Sequence, residues 1–247
     1  TGLSKGAMLT HGNLVTNIAA FEAWVADRTN PGEEVVITAL PLYHIFALMV
    51  NFLCYFKLGA HNVLIANPRD MPAFVKEWSK WRVTAFTGVN TLYNGLLHTP
   101  GFDACDFSRF TVCFGGGSAT QKAVSDRWKQ VTGLHITEGY GLSETSPIVS
   151  ANMLNEPQFT GTVGFPFPST DIRILAEDGS ECPTGEPGEL CVKGKQVMRG
   201  YWGKDNVADG VFTEDGYFRT GDIATIDDEG YFTIVDRKKD MILVSGF

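Results

Sequence analysis

The chain has 247 residues, enough for one large or two small domains around a substantial core. Its composition is that of a globular protein, and a formal charge of −8 argues against a nucleic-acid partner. Five cysteines, at 54, 105, 113, 182 and 191, are scattered without a Cys-x-x-Cys pair. That usage points to reduced thiols in a cytoplasmic protein rather than a disulfide framework or a zinc site.

Taken in chain order, Leu14, Ile18, Phe21 and Val25 recur at helical spacing behind Thr10-His11-Gly12. Val35 to Ala39 reads as a strand behind the Pro31-Gly32 turn. The apolar run from Ile45 to Phe56 is interrupted by Asn51; it is too short to span a bilayer and reads as a buried helix. Asn62 to Ile65 is a second strand. Asp70 caps a helix with Pro72 in its first turn, burying Phe74, Val75 and Trp78. Val83 to Thr87 is a strand, followed by a helix through Leu92, Leu96 and Leu97. Phe110 to Phe114 is another strand, and Thr120 to Thr132 a helix burying Val124 and Trp128. This alternation predicts an α/β layer with a largely parallel sheet over residues 1–165. Near Phe165-Pro166-Phe167-Pro168 the texture changes to short alternating strands between turn signals such as Glu177-Asp178-Gly179-Ser180 and Asp227-Asp228-Glu229-Gly230. Residues 166–235 therefore read as a small antiparallel, barrel-like β subdomain.

Several segments carry chemistry-bearing residues. Gly115-Gly116-Gly117-Ser118 lies between a strand and a helix, where glycines let the backbone approach a ligand and helix-start amides attract anions; a tight turn needing positive φ is the alternative. Glu138-Gly139-Tyr140-Gly141-Leu142-Ser143-Glu144-Thr145 follows the apolar run Leu134 to Thr137. It combines a ring face able to stack on a base, the Ser143 hydroxyl for a phosphate and the Glu144 carboxylate for Mg²⁺. Glu144 as a helix-capping acid is the alternative. Lys5, in Thr1-Gly2-Leu3-Ser4-Lys5-Gly6, is either a phosphate-binding point charge or a solvated surface lysine. His44 reads as a core histidine or as a site residue. Asp222 can accept two ribose hydroxyls at once. The basic run at 237–239 is either a ligand-facing arm or a solvated cluster.

Five of these segments, in this order, resemble the motifs of the adenylate-forming superfamily of acyl-CoA synthetases, adenylation domains and luciferase-like enzymes: Thr1 to Gly6, Pro41-Leu42-Tyr43-His44-Ile45-Phe46, Glu138 to Thr145, Arg219-Thr220-Gly221-Asp222, and Asp236-Arg237-Lys238-Lys239-Asp240. The stretches Thr38 to Leu48, Gly200-Tyr201-Trp202, and Tyr231 through Phe247 narrow the resemblance to bacterial long-chain fatty acid–CoA ligases. The resemblance implies an N-terminal AMP-binding domain of α/β and β-rich parts, with residues 236–247 the hinge to a C-terminal lid. It also implies that the chain is an internal fragment of a protein roughly twice as long, inactive or nearly so by itself.

The implied chemistry is ATP-dependent activation of a fatty acid as acyl-AMP, then transfer to coenzyme A, with Mg²⁺ masking the phosphates. The resemblance gives catalytic roles to Lys5, His44, Ser143, Glu144 and Lys239, the last at the lid pivot, with Glu144 also the metal ligand. It gives nucleotide contacts to Thr1, Gly2, Gly115, Gly116, Gly117, Ser118, Glu138, Gly139, Tyr140, Gly141, Asp222 and Arg237. An aryl- or medium-chain-CoA ligase, or a non-catalytic nucleotide-binding module, are the alternatives. Homodimerisation and peripheral contact with the inner membrane stay open.

Overall fold

The computed structural model describes residues 5–156, 158–206 and 209–237. A seven-stranded sheet has the order β2-β1-β3-β4-β5-β6-β7. Its strands are β1 (Val35–Thr38), β2 (His61–Leu64), β3 (Ala85–Gly88), β4 (Val112–Gly115), β5 (Thr137–Gly141), β6 (Ile148–Ala151) and β7 (Phe165–Pro166). The first five pair in parallel; β6 and β7 add on antiparallel. A second, four-stranded antiparallel sheet has the order β11-β10-β9-β8, from β8 (Thr170–Leu175), β9 (Gly188–Gly194), β10 (Phe218–Ile226) and β11 (Phe232–Arg237). The parallel strands with helical crossovers, and the separate antiparallel sheet, match the α/β architecture read from the sequence.

Side chains of the parallel strands alternate between two cores, as a sheet covered on both faces requires. Ile37, Phe86 and Cys113 face a cluster with Phe74, Trp78, Leu92, Leu96, Val124 and Trp128. These come largely from α3 (Met71–Trp78), α4 (Asn90–Leu97) and α5 (Lys122–Thr132). Trp128 lies at the middle of this cluster, 4.8 Å from the Tyr93 ring and 5.2 Å from Phe102. Val36, Ala85, Val112 and Phe114 face the opposite cluster, with Phe21 of α1 (His11–Val25) and with Val50 and Tyr55.

The helix boundaries follow from local chemistry. The Thr10 hydroxyl accepts the Asn13 amide at the start of α1, and Asp70 accepts the Ala73 amide at the start of α3, which carries Pro72 in its first turn. α5 begins two residues later than its sequence pattern suggests. The Thr120 amide donates instead to Glu138 Oε1 at 2.8 Å, and the Gln121 amide to Asn90 Oδ1 at 3.0 Å.

The apolar run at 45–56 forms a helix buried on one face only, with Phe52 and Phe56 exposed, and most of it, Ala47–Cys54, winds as a π-helix before tightening into α2 (Tyr55–Lys57). Hydrophobic spacing over a run that is apolar almost throughout does not distinguish these windings. Asn51, fully buried, ties this helix to the sheet: it donates to the Ile37 carbonyl and accepts from Thr87, while Asn62 donates to its carbonyl at 2.6 Å.

Candidate active site

The carboxyl ends of β1, β4 and β5 open on a common crevice, the side on which doubly wound sheets bind ligands. The polypeptide leaving β1 carries His44, that leaving β4 carries Gly115 to Gly117, and β5 carries Gly139 to Gly141. From the second sheet, Asp222 reaches the same place because β10 departs from its ladder. Arg219 pairs with Cys191 and Ile223 with Glu189, so three residues of β10 stand against one of β9. Glu189 braces this bulge, accepting the Gly221 amide at 3.2 Å and the Arg219 guanidinium at 3.0 Å.

The result is a cavity of about 570 Å³ whose walls include Lys5, His44, Gly115, Gly116, Gly117, Gly139, Tyr140, Gly141, Ser143, Glu144 and Asp222. Eleven residues singled out from the sequence therefore converge on one space. Its apolar wall is made by Phe21, Val50, Phe114, Ile148 and Phe167.

The loop after β5 is held tightly. The Leu142 amide donates to the Pro147 carbonyl at 3.1 Å, and the buried Thr145 hydroxyl donates to the same carbonyl at 2.6 Å. A Cβ on Gly141 would lie 2.1 Å from that carbonyl oxygen, so glycine is required where the loop folds back on itself. The Tyr140 hydroxyl donates to Asp222 Oδ2 at 2.5 Å, joining the two sheets across the cavity.

His44 is exposed, and its Nδ1 accepts the Phe46 amide at 3.2 Å. The imidazole proton therefore resides on Nε2, which serves as a donor. Among the described residues, the Glu144 carboxylate receives one hydrogen bond, from the Tyr201 hydroxyl at 2.6 Å. A single anchored carboxylate on a cavity wall suits Mg²⁺, which binds through one or two carboxylates, substrate phosphates and retained waters. Lys5 lies with its ammonium 4.9 Å from the Tyr201 ring centre.

Two of the residues expected at the nucleotide do not line the cavity. Ser118 is exposed beyond the glycine loop. Glu138 is buried beneath it, its carboxylate taken up by the Thr120 amide, and burial pushes its carboxyl above the ordinary range. Its carboxylate braces the 115–120 turn. Arg237 is described by its backbone alone, at the end of β11 and opposite Asp222. Thr1, Gly2 and Lys239 lie outside the described residues. Tyr201 and Thr220 line the cavity without having been picked out as site residues. Both fall inside segments that carried the resemblance, which was the available signal.

A family model described as AMP-binding enzyme matches residues 1–202. The chain belongs to this AMP-binding enzyme family. It is 51% identical over 247 residues to a long-chain-fatty-acid–CoA ligase of Yersinia pestis, covering 100% of this chain and 44% of that protein. It is 39% identical to the long-chain-fatty-acid–CoA ligase of Bacillus subtilis, again over 100% of this chain and 44% of the relative. A feruloyl-CoA synthase from Amycolatopsis sp is 35% identical, with 100% of this chain and 49% of the relative covered. The chain thus spans less than half the length of these relatives. Among solved structures, ATP-bound MatB from Rhodopseudomonas palustris superposes with a TM-score of 0.84 at 31% identity, covering 100% of this chain and 48% of that one. The O-succinylbenzoate coenzyme A synthetase MenE of Bacillus subtilis, in complex with AMP, does so at 0.85 and 26%, over 100% and 49%. Among the described residues, no helix is long and apolar enough to cross a membrane.

Proposed function

We propose that this chain forms the nucleotide- and acyl-binding part of an ATP-dependent, AMP-forming long-chain fatty acid–CoA ligase. The observation that carries the reading is the single cavity in which Lys5, Ser143, Glu144, Tyr140 and Asp222 meet a wall of Phe21, Val50, Phe114 and Phe167. A nucleotide and an apolar acyl chain need such a pair of surfaces within reach of one reacting carboxylate. The identity of about half to long-chain ligases supports that choice of acyl group.

In this reading, Asp222 holds the ribose hydroxyls and Tyr140 offers its ring to adenine. Gly115 to Gly117 give the base and acyl group a side-chain-free wall. Lys5 and Ser143 contact phosphate oxygens and Glu144 holds Mg²⁺, which masks the triphosphate charge when bound. His44 offers its Nε2–H as a hydrogen-bond donor to the acyl carboxylate, which stays ionised, and steers it for in-line attack at the α-phosphorus. The products of that step are acyl-AMP and pyrophosphate; the thiol of coenzyme A then displaces AMP. Arg237 and Lys239 belong to the hinge of a lid that completes the site, with residues 1–165 and 166–235 as the two parts of the AMP-binding domain. A cytoplasmic enzyme with five cysteine thiols fits this chemistry. Contact with the inner membrane and pairing with a second copy are open parts of the same reading.

A second reading, an aryl-CoA ligase, draws on the 35% identity to a feruloyl-CoA synthase and on the three phenylalanines of the apolar wall. Calorimetric titration with non-hydrolysable acyl-AMP analogues bearing long, short and aromatic acyl groups, with Mg²⁺ present, separates the two. Tight binding of the long-chain analogue alone is the expected result. Preference for the aromatic analogue selects the second reading, and equal binding of all three removes the acyl assignment.

A further inference from the structure

The phosphate end of the cavity is assembled from three distant stretches that meet at Tyr201. Residues 6–8 run antiparallel to 199–202: the Met8 amide donates to the Gly200 carbonyl at 2.9 Å, the Arg199 amide to Met8, and the Trp202 amide to Gly6 at 2.8 Å. The Met198 amide donates to the Glu144 carbonyl at 2.8 Å, which stitches the third stretch to the other two. The Tyr201 backbone is itself clamped. Its amide donates to Asn206 Oδ1 at 2.7 Å, and Asn206 Nδ2 donates back to its carbonyl at 3.2 Å. Gly200, at φ 135°, makes room for that clamp, because a Cβ there would stand 2.5 Å from the Asn206 amide nitrogen.

The Tyr201 side chain then performs two tasks. Its hydroxyl donates to Glu144 Oε1 at 2.6 Å, a charge-assisted bond, and the other carboxylate oxygen has no hydrogen-bond partner among the described residues. Its ring lies 4.9 Å from the Lys5 ammonium, which has no ion pair among the described residues. An ionised carboxylate only accepts, so the Tyr201 hydroxyl is the donor of that bond.

We propose that Tyr201 is a positioning residue for the phosphate end of the site, orienting the Glu144 carboxylate for the metal and holding Lys5 for the phosphates. The proposal rests on the metal and phosphate roles given above to Glu144 and Lys5. It goes beyond them in naming the group that keeps the two in register. Outer-shell hydrogen bonds of this kind set metal affinity because a ligand oxygen free to rotate must be ordered at each binding event.

The test is calorimetric binding of ATP at increasing Mg²⁺, with AMP as the control ligand, in the complete ligase polypeptide carrying this chain and its variants. Tyr201→Phe keeps the ring and the backbone pairing and removes only the hydroxyl. It is expected to raise the Mg²⁺ concentration for half-maximal ATP binding about 10- to 100-fold and to leave AMP binding unchanged. Glu144→Gln is expected to shift the same midpoint, and the double variant to add little to either single one. Tyr201→Leu is expected to lower ATP affinity further than Tyr201→Phe, with AMP again unaffected. An unshifted Tyr201→Phe beside a shifted Glu144→Gln overturns the positioning role while sparing the metal assignment. An unshifted Glu144→Gln overturns the metal assignment and the proposal with it. Equal losses of ATP and AMP binding in Tyr201→Phe reduce the hydroxyl to a packing role and overturn the proposal.

Discussion

Lys5 and Asp222 face the same cavity, and the proposed function assigns them to different parts of a nucleotide, so that their removal would separate by ligand. On that reading, Lys5→Met takes away a charged donor to the outer phosphates of ATP. It is expected to weaken ATP about 10- to 100-fold and leave AMP unchanged, measured by calorimetry. Asp222→Asn acts on the ribose, which ATP and AMP share, and both affinities are expected to fall by a similar factor. The eleven residues of the cavity wall that the sequence singled out were legible because each sits in a short run whose residue types suit one piece of chemistry. Tyr201 was not, since its partner Glu144 is 57 residues away and only the folded chain brings them together. Glu138 misled for the opposite reason. It adjoins Gly139 and Tyr140, but strand alternation turns its carboxylate under the sheet end to the Thr120 amide.

Elements were readable where a cap or a turn marked them. Thr10, Asp70 and the Pro31-Gly32 turn before the apolar run from Val35 mark elements that the structure contains. The π-helical winding of Ala47–Cys54 left no such mark. The one polar residue inside that run, Asn51, proves to be its attachment to the sheet rather than a flaw in an apolar face. Asn51→Leu leaves the buried Thr87 hydroxyl without its acceptor and removes a hydrogen bond to the Ile37 carbonyl. A destabilisation of about 2–3 kcal/mol is expected, read as a lower denaturant midpoint with the slope unchanged. A midpoint equal to that of the unaltered protein would mean that the apolar packing of the helix holds it in place without this tie.

Stability of the whole molecule carries a pH signature from Glu138. Its folded-state pKa is raised by burial, so its favourable contribution is complete below the ordinary glutamate range. That contribution is lost as pH rises through the folded value, where a buried carboxylate must ionise. Glu138→Gln retains an acceptor for the Thr120 amide and cannot ionise. Relative to the unaltered protein, the variant is expected to gain stability between pH 4 and pH 7, measured as the difference between their thermal midpoints; a constant difference across that range would remove the assignment. At this scale the division into a parallel sheet and a following antiparallel one was legible from the change of texture near Phe165. The bulge in β10 that delivers Asp222 to the first sheet was not, since it depends on register against β9.

The short pairing of residues 6–8 with 199–202 joins stretches far apart in the sequence. Closing so long a loop yields few hydrogen bonds for the chain entropy it consumes. Lys5 is therefore expected to dock late and to be among the first groups to leave when the native state opens locally. The amides of Met8 and Trp202 are expected to exchange with solvent far sooner than those of β4. On the proposed function, affinity for the outer phosphates of ATP would become a property of how often this clasp is shut, while the surfaces proposed for base, ribose and acyl group would persist whether it is open or closed.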